Sequence, residues 1–260
     1  MKIRTSTLRE LKAQGKRFAA LTSYDALTAE IFDQAGIEVI LVGDSASNTV
    51  LANDSTIPVT LDEMIVFARA VSRSVKSALV VLDMPFGSYE ISATQAVENG
   101  LLAMKGTGVS ALKIEGPRVA QISALISAGI PVMGHVGFTP QTVHALGGFK
   151  VQGRGSDADR ILEECKQIQA AGAFAIVLEM IPAELARQIS LELEIPTIGI
   201  GAGNGTDGQI LVWTDFAGLS SRLPSFAKPY LSLRSDLSEA AKKYREETIS
   251  GEFPESDRNF

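Results

Sequence analysis

Eight short and nearly continuous apolar runs recur along the chain, and segments with helical spacing of apolar residues separate most of them. Runs without polar alternation are typical of strands that are buried on both faces, as in a parallel sheet. The runs are residues 18–24 (FAALTSY), 39–45 (VILVGDS), 78–86 (ALVVLDMPF), 111–116 (ALKIEG), 131–137 (PVMGHVG), 175–180 (AIVLEM), 196–203 (PTIGIGAG) and 209–213 (QILVW).

Eight strands interleaved with helices predict an α/β fold, a closed (β/α)₈ TIM barrel forming one domain over residues 1–260. The alternative is an open doubly wound sheet, which usually has fewer strands and a glycine-rich turn after its first strand. Here the first run ends in Ser23-Tyr24-Asp25, which favours the barrel. The connection between the last two runs is too short for a full helix.

Five segments carry helix patterns. Thr60 with Glu63 three residues later predicts a capping box at the start of one helix. Gly106 and Gly172 are placed to end two others. The predicted helices are residues 1–16 before the barrel, 61–76, 94–105, 157–171, and 234–251 after the barrel.

Composition excludes several classes of protein. The hydrophobic fraction of 45% predicts a sizeable core, and a net charge of −6 with mixed signs argues against a nucleic-acid partner. No segment resembles a signal peptide or a membrane span, so no membrane partner is expected. The single cysteine, Cys165, excludes an intrachain disulfide and fits a reducing, cytoplasmic setting. We therefore expect a cytoplasmic protein that acts on small molecules.

Ionisable or polar residues lie where the predicted strands end, and barrel enzymes place their chemistry at that edge. Any one buried carboxylate there is as readily a structural hydrogen-bond acceptor or a helix cap. Four carboxylates on one rim are costly to bury unless cations neutralise them, which indicates a divalent metal. The residues are Asp44 with Ser45, Asp83, Lys113, Glu115, His135 and Glu179.

The type of ligand indicates the metal. Asp44, Asp83 and Glu115 offer only hard oxygens, and the lone cysteine lies in a helix-patterned segment, so Mg²⁺ is favoured over Zn²⁺. A 2-oxo acid can chelate such an ion through its carboxylate and keto oxygens. Chelation acidifies the neighbouring carbon, and a carboxylate base such as Glu179 can then remove the proton.

Other features are less specific. Residues 199–203 (GIGAG) resemble the phosphate-binding glycines of many barrels, but glycines there equally allow close approach of the backbone. The segment does not match G-x-G-x-x-G, so a dinucleotide site is unsupported. Cys165 is interpreted as a packing residue and His144 as a surface residue. The polar segment 46–58, after the second strand, is predicted as a functional loop.

A series of longer motifs follows in order within residues 18–213: LTSYDALTA, VILVGDS, DSTIPVT, LDMPFGSY, LKIEG, GHVGFTPQTVHALGGFKVQGR, LEMIP and GIGAGNGTDGQILV. In these motifs and their order the chain resembles the ketopantoate hydroxymethyltransferase family. The resemblance implies a phosphoenolpyruvate/pyruvate-binding-like barrel that uses Mg²⁺ and assembles as a homodecamer. It also implies transfer of a hydroxymethyl group from 5,10-methylenetetrahydrofolate to 3-methyl-2-oxobutanoate.

The family roles carry over to matching positions of this sequence. The resemblance implies that Asp44, Asp83 and Glu115 bind the metal, and that Glu179 accepts the proton. The residues it implies for substrate contact are Asp44, Ser45, Asp83, Lys113 and His135.

Two other functions remain to be weighed. A lyase or mutase of the related phosphoenolpyruvate-binding barrels usually needs a catalytic cysteine or a phosphate loop, and no cysteine stands at a strand end here. A non-catalytic binding protein is the second alternative. The presence of Glu179 beside the acidic and lysine positions argues against it.

Overall fold

The computed structural model describes residues 2–255, which divide into two compact units between Val212 and Trp213. Two ends of the predicted ranges lie outside the described residues. Met1 is the first residue of the predicted helix 1–16, and residues 256–260 are the last of the predicted domain. The assignment of residues 1–260 to a single domain stays a prediction.

The first unit is a closed barrel of eight parallel strands in sequence order, with the last strand paired to the first. Seven of the predicted apolar runs contain one strand each, and the eighth overlaps β8, which begins one residue before it, so the barrel prediction is confirmed. The strands are β1 (Phe18–Thr22), β2 (Val39–Val42), β3 (Leu79–Asp83), β4 (Ala111–Lys113), β5 (Val132–Gly137), β6 (Ala175–Glu179), β7 (Thr197–Ile200) and β8 (Gly208–Leu211).

Helices connect most of the strands. As expected, no helix separates β7 from β8. The helices of this unit are α1 (Thr5–Ala13), α2 (Ala26–Gln34), α3 (Ala46–Thr49), α4 (Leu61–Ser74), α5 (Ala93–Thr107), α6 (Val119–Ser127), α7 (Asp157–Ala170) and α8 (Ala183–Glu192), with a short 3₁₀ turn at Pro140–Thr142.

The helix ends test the capping predictions. Thr60 and Glu63 form the expected capping box at the start of α4. Gly172, with φ +99°, follows the end of α7 as expected. The prediction that Gly106 ends α5 was wrong, because the helix continues to Thr107 and Gly108 takes the left-handed conformation that ends it.

The barrel interior is filled by the inward-facing residues of the strands. Because side chains alternate between the two faces of a strand, residues two apart share the interior. Leu8 of α1 is fully buried in the same cluster, so α1 closes the amino end of the barrel. The strand residues of the cluster are Phe18, Ala20, Val39, Leu41, Leu79, Val81, Ala111, Met133, Ala175, Val177, Ile198 and Ile210.

The second unit contains α9 (Trp213–Phe216) and α10 (Leu233–Ser250), and α10 confirms the predicted C-terminal helix. It ends at Gly251, which has a left-handed φ of +81°. Among the helices of residues 2–255, none combines the length and apolar character that crossing a membrane requires.

Candidate active site

The alternation that fills the core also places charged side chains above it. Two residues beyond a core residue on β3, β4, β5 and β6, the inward position is taken by Asp83, Lys113, His135 and Glu179 respectively. All four line one cavity of about 100 Å³ at the carboxyl ends of the strands. Asp44, Ser45 and Glu115 line it too, so every residue expected at the site from the sequence lies at this cavity.

Asp44, Asp83 and Glu115 form a buried group of three carboxylates. One oxygen of each lies within 4.8 Å of the other two, and none of the side chains is more than 4% exposed. In the described part of the chain this is the one cluster with the composition of a metal site. The donors are all carboxylate oxygens, which suit a hard divalent cation.

Lys113 is the strongest cationic partner of this group. Its Nζ lies 2.7 and 2.8 Å from the two carboxylate oxygens of Asp83 and 3.7 Å from Oε1 of Glu115. Burial lowers the pKa of Lys113, but the negative charges of Asp83, Glu115 and Asp44 raise it by a larger amount. The net shift of this pKa is therefore upward. Lys113 is therefore charged, with its ammonium directed at Asp83.

Asp44 is the carboxylate with the least compensation. Burial raises its pKa well above the ordinary value, and the charges of Asp83 and Glu115 raise it further. Burial also raises the pKa of Asp83, although Lys113 opposes the shift. The group therefore carries more negative charge than Lys113 balances.

His135 lies between two carboxylates. Its Nδ1 is 3.3 Å from Oε1 of Glu115, and its Nε2 is 3.3 Å from Oε2 of Glu179. Burial and Lys113 lower the pKa of His135, but Glu115 and Glu179 raise it more, to about 9. At neutral pH the imidazole is therefore protonated. In this state His135 can donate a hydrogen bond to an oxygen but cannot accept a proton.

The backbone around Glu179 is constrained on both sides. Met180 directly after it has φ +48°, an uncommon conformation for a residue with a side chain. On the neighbouring strand, Gly137 has φ +94°, and a Cβ there would lie 2.2 Å from the carbonyl oxygen of Glu179. Both features fix the position of Glu179 at the cavity.

Ser45 belongs to a chain of hydroxyl groups. Its Oγ is 2.7 Å from the hydroxyl of Tyr24, which also accepts a hydrogen bond from Oγ1 of Thr22 at 3.0 Å. Ser45 and Thr22 line the cavity, and Tyr24 is buried behind them. The remaining wall is mostly apolar and includes Leu41, Val177, Ile200, Ile210 and Val212, while Thr56 adds a further hydroxyl group.

Two buried residues of the site were not identified from the sequence. Gln141, in the turn after β5, donates from its side chain to Oδ2 of Asp44 and from its backbone to Oε2 of Glu115, each at 3.0 Å. The Tyr89 hydroxyl donates to Gln141 and accepts from the backbone N–H of Glu115. Neither residue lies within an apolar run, whereas all the residues identified from the sequence do.

Of the remaining sequence expectations, two concern residues outside the cavity, and two concern segments that contribute one residue each to its wall, Ile200 and Thr56. Cys165 is fully buried in α7, which agrees with a packing role, and His144 is exposed. A Cβ on Gly203 would lie 2.4 Å from the Cβ of Ala183. Close approach therefore accounts for this glycine, while phosphate binding by residues 199–203 is untested. The predicted loop 46–58 begins with α3, the short helix Ala46–Thr49.

Comparison with known proteins gives two results. Residues 2–256 match the family described as ketopantoate hydroxymethyltransferase. The 3-methyl-2-oxobutanoate hydroxymethyltransferase of Corynebacterium efficiens is 56% identical over 97% of this chain and 95% of its own. The enzyme of the same name from Leifsonia xyli is 52% identical over 100% of this chain and 95% of its own.

Solved structures share the fold at low sequence identity. Phosphonopyruvate hydrolase in complex with oxalate and Mg²⁺ gives a TM-score of 0.65 at 14% identity, over 98% of this chain and 90% of that one. 2,3-Dimethylmalate lyase, a member of the PEP mutase/isocitrate lyase superfamily, gives 0.62 at 17% identity, over 100% and 92%. These likenesses confirm the expected barrel fold and concern the fold alone.

Proposed function

Since the chain belongs to the ketopantoate hydroxymethyltransferase family, we propose that it transfers a one-carbon unit from 5,10-methylenetetrahydrofolate to 3-methyl-2-oxobutanoate. The net reaction consumes one water and yields 2-dehydropantoate and tetrahydrofolate, a step towards pantothenate and coenzyme A. The observation that supports this most directly is the metal-type group Asp44, Asp83 and Glu115 sharing one cavity with Glu179.

The three carboxylates would hold Mg²⁺. The residues fit such an ion because their donors are all carboxylate oxygens that lie within 4.8 Å of one another. The raised pKa of Asp44 indicates a further demand for positive charge. When bound, the ion would polarise the keto group of a chelated 2-oxo acid and acidify the hydrogen on C3.

Glu179 would accept that proton. Its carboxylate lines the cavity, and protonated His135 lies beside Oε2, which leaves Oε1 to take the hydrogen. The C3–H bond breaks, and its electron pair forms the new bond from C3 to the methylene carbon. Both bonds from that carbon to the folate nitrogens break, and water supplies the new hydroxyl group. Of the two protons that the nitrogens of tetrahydrofolate gain, one comes from that water and the other balances the C3 proton that Glu179 releases.

The rest of the cavity would orient the substrate. The hydroxyl of Ser45 and the ammonium of Lys113 offer donors to the substrate carboxylate, and His135 offers a further donor on the side of Glu179. The apolar wall, with Val177 and Ile200 on the strands nearest Glu179, would pack against the isopropyl group.

The experiment that tests this function measures the exchange of the hydrogen on C3 of the substrate. Wild-type protein with Mg²⁺ should exchange the C3 hydrogen of 3-methyl-2-oxobutanoate for deuterium in heavy water, observed by NMR, and should release tetrahydrofolate when the donor is added. In Glu179→Gln the exchange rate should fall by about 10² to 10⁴, because glutamine cannot accept the proton. Glu184→Gln, at an exposed position on α8, is the matched control and should exchange like wild type.

The outcomes separate the parts of the proposal. Wild-type protein that exchanges C3 but never releases tetrahydrofolate would retain the base and contradict the folate donor. Exchange at the wild-type rate in Glu179→Gln would show that another group is the base.

Assembly and compartment follow only from the resemblance and composition. We propose a homodecamer of the cytoplasm whose other partners are small molecules. Light scattering on purified protein would contradict the decamer by giving any mass other than ten times 27.6 kDa.

A further inference from the structure

Gln141 connects the strands that carry the three carboxylates. It lies in the turn Pro140–Thr142 after β5 and is 3% exposed. Its Nε2 donates to Oδ2 of Asp44 and to the carbonyl of Met84, the residue that follows Asp83, each at 3.0 Å. Its backbone N–H donates to Oε2 of Glu115 at 3.0 Å. One residue thus contacts two of the carboxylates and the backbone beside the third.

Tyr89 determines which way the Gln141 amide points. The carboxylate of Asp44 and the carbonyl of Met84 are both acceptors, so the NH₂ group must face them. The amide oxygen faces the Tyr89 hydroxyl, which donates to it and accepts the N–H of Glu115 at 3.1 Å. Every polar atom of the Gln141 side chain is therefore used, and a rotated amide would lose all of these bonds.

The side chain of Gln141 is neutral, and this is as informative as its position. Asp83 has Lys113 as its cationic partner and Glu115 has His135, whereas the side-chain hydrogen bond of Asp44 comes from a neutral amide. A neutral donor holds one oxygen of Asp44 in place without adding positive charge. A lysine or arginine in its place would compete electrostatically with a divalent cation.

We propose that Gln141, held by Tyr89, is a positioning residue that orients Asp44 and Glu115 for binding a divalent cation. The inference depends on the metal site of the proposed function but not on the folate donor. It assigns to the turn after β5 a part in metal affinity, because groups that hydrogen-bond to metal ligands typically alter affinity by about 10- to 100-fold.

The test measures metal binding without turnover. Mn²⁺ is titrated into the full-length, chelator-treated protein, and free and bound ion are followed by electron paramagnetic resonance. Gln141→Met keeps the length of the side chain and the backbone bond to Glu115 but removes the amide. Its Kd for Mn²⁺ should rise by about 10- to 100-fold, with a broadened spectrum of the bound ion. Tyr89→Phe keeps the packed ring but removes the bonds of the hydroxyl to Gln141 and to the N–H of Glu115, and it should raise the Kd by about fivefold.

Gln169→Met is the matched control. Gln169 also uses its side-chain amide structurally, accepting the backbone N–H groups of Glu194 and Ile195 before β7, at the other end of the barrel. This variant should lower the unfolding temperature and leave the Kd for Mn²⁺ and its spectrum unchanged. A general loss of packing would therefore be distinguished from a loss of metal-site geometry.

The results separate the two proposals. Kd values within about twofold of wild type in both Gln141→Met and Tyr89→Phe would overturn the positioning role and leave the metal site intact. If Gln141→Met does not fold, Tyr89→Phe alone decides the question by the same criterion. Wild-type protein that binds no Mn²⁺ would overturn the metal site of the proposed function and the positioning role with it.

Discussion

The two ends of the barrel both contain carboxylates, but they supply them with different partners. At the amino end, Oδ2 of Asp207 accepts from Nζ of Lys12 at 2.7 Å and from the backbone and hydroxyl of Thr197 at 2.8 and 2.9 Å. Asp33, at the end of α2, accepts the three successive backbone N–H groups of residues 76–78 before β3. Each of these carboxylates has its donors in place.

At the carboxyl end, the carboxylates outnumber their cationic partners. Asp44, Asp83 and Glu115 converge around Lys113, and the protonated His135 is shared between Glu115 and Glu179. The pKa values express the difference: burial raises that of Asp33, but its backbone hydrogen bonds lower it more, whereas burial and neighbouring charge both raise that of Asp44. From this difference we infer that the carboxylates at the amino end stabilise the fold, and we propose that those at the carboxyl end serve a cation and a substrate.

The largest expected effects come from substituting Asp44 and Asp83 one at a time. The two residues share a proposed role as metal ligands but have different partners. Asp44→Asn and Asp83→Asn should each lower kcat by about 10³-fold, because metal assistance contributes several kcal/mol to transition-state stabilisation. In metal-free protein their stabilities should diverge. Asp83→Asn leaves Lys113 buried without its close partner and should cost about 3 kcal/mol.

Asp44→Asn should unfold at the same or a higher urea concentration than wild type. It removes the least compensated charge and keeps an oxygen for Gln141. Activity assays in excess Mg²⁺, with urea titrations after chelation, measure both effects. Equal destabilisation by the two substitutions would contradict the view that only Asp83 is paired.

The amino end should respond in the opposite way, with stability lost and activity kept. Asp207→Ala removes a partner of the mostly buried Lys12 and two bonds to Thr197, and should cost about 2–4 kcal/mol of unfolding free energy. Its kcat, measured well below the unfolding temperature, should match wild type. Glu194→Ala is the control, since its ion pair with Arg9 is exposed, and it should change stability by less than about 1 kcal/mol. A fall in kcat for Asp207→Ala would contradict the division between the two ends.

These two regions also differ in how far the sequence predicts them. Asp83 and Glu179 lie within apolar runs, near the ends of the predicted strands, so the rule that barrel chemistry lies at strand ends identifies them from the sequence alone. Lys12 and Asp207 are 195 residues apart and lie outside the runs, and no periodicity indicates that α1 closes the barrel beside β8. The amino-end pair therefore depends on tertiary packing that the pattern does not encode.

Gln141 shows the same limit within the site itself. It comes six residues after His135, in a turn whose course is set by Gly137 and Pro140, and an uncharged amide gives no signal comparable to a buried carboxylate. The end of α5 was misplaced for a related reason. The prediction took Gly106, the first glycine after the helix pattern, and only the backbone conformation shows that Gly108 is the left-handed residue at the end of the helix.

The smallest predicted effect concerns Asp33 and sharpens the comparison by its dependence on pH. The pKa of Asp33 is lowered in the folded protein, so the unfolded chain binds the proton more tightly and the carboxylate stabilises the fold when ionised. That contribution to stability is fully present at pH values above the ordinary pKa near 3.8 and is lost as the pH falls through the folded-state pKa.

Asp33→Asn keeps one acceptor oxygen but no charge, so at pH 7 it should be less stable by about 1 kcal/mol. Urea titrations of both proteins, at one protein concentration from pH 7 to pH 3, should show this difference shrinking only below about pH 4. A difference that stayed constant over the range would mean that the lost bond, and not the charge, carries the effect. A difference that grew on acidification would reverse the sign and place Asp33 with Asp44, among the carboxylates that the fold destabilises when they ionise.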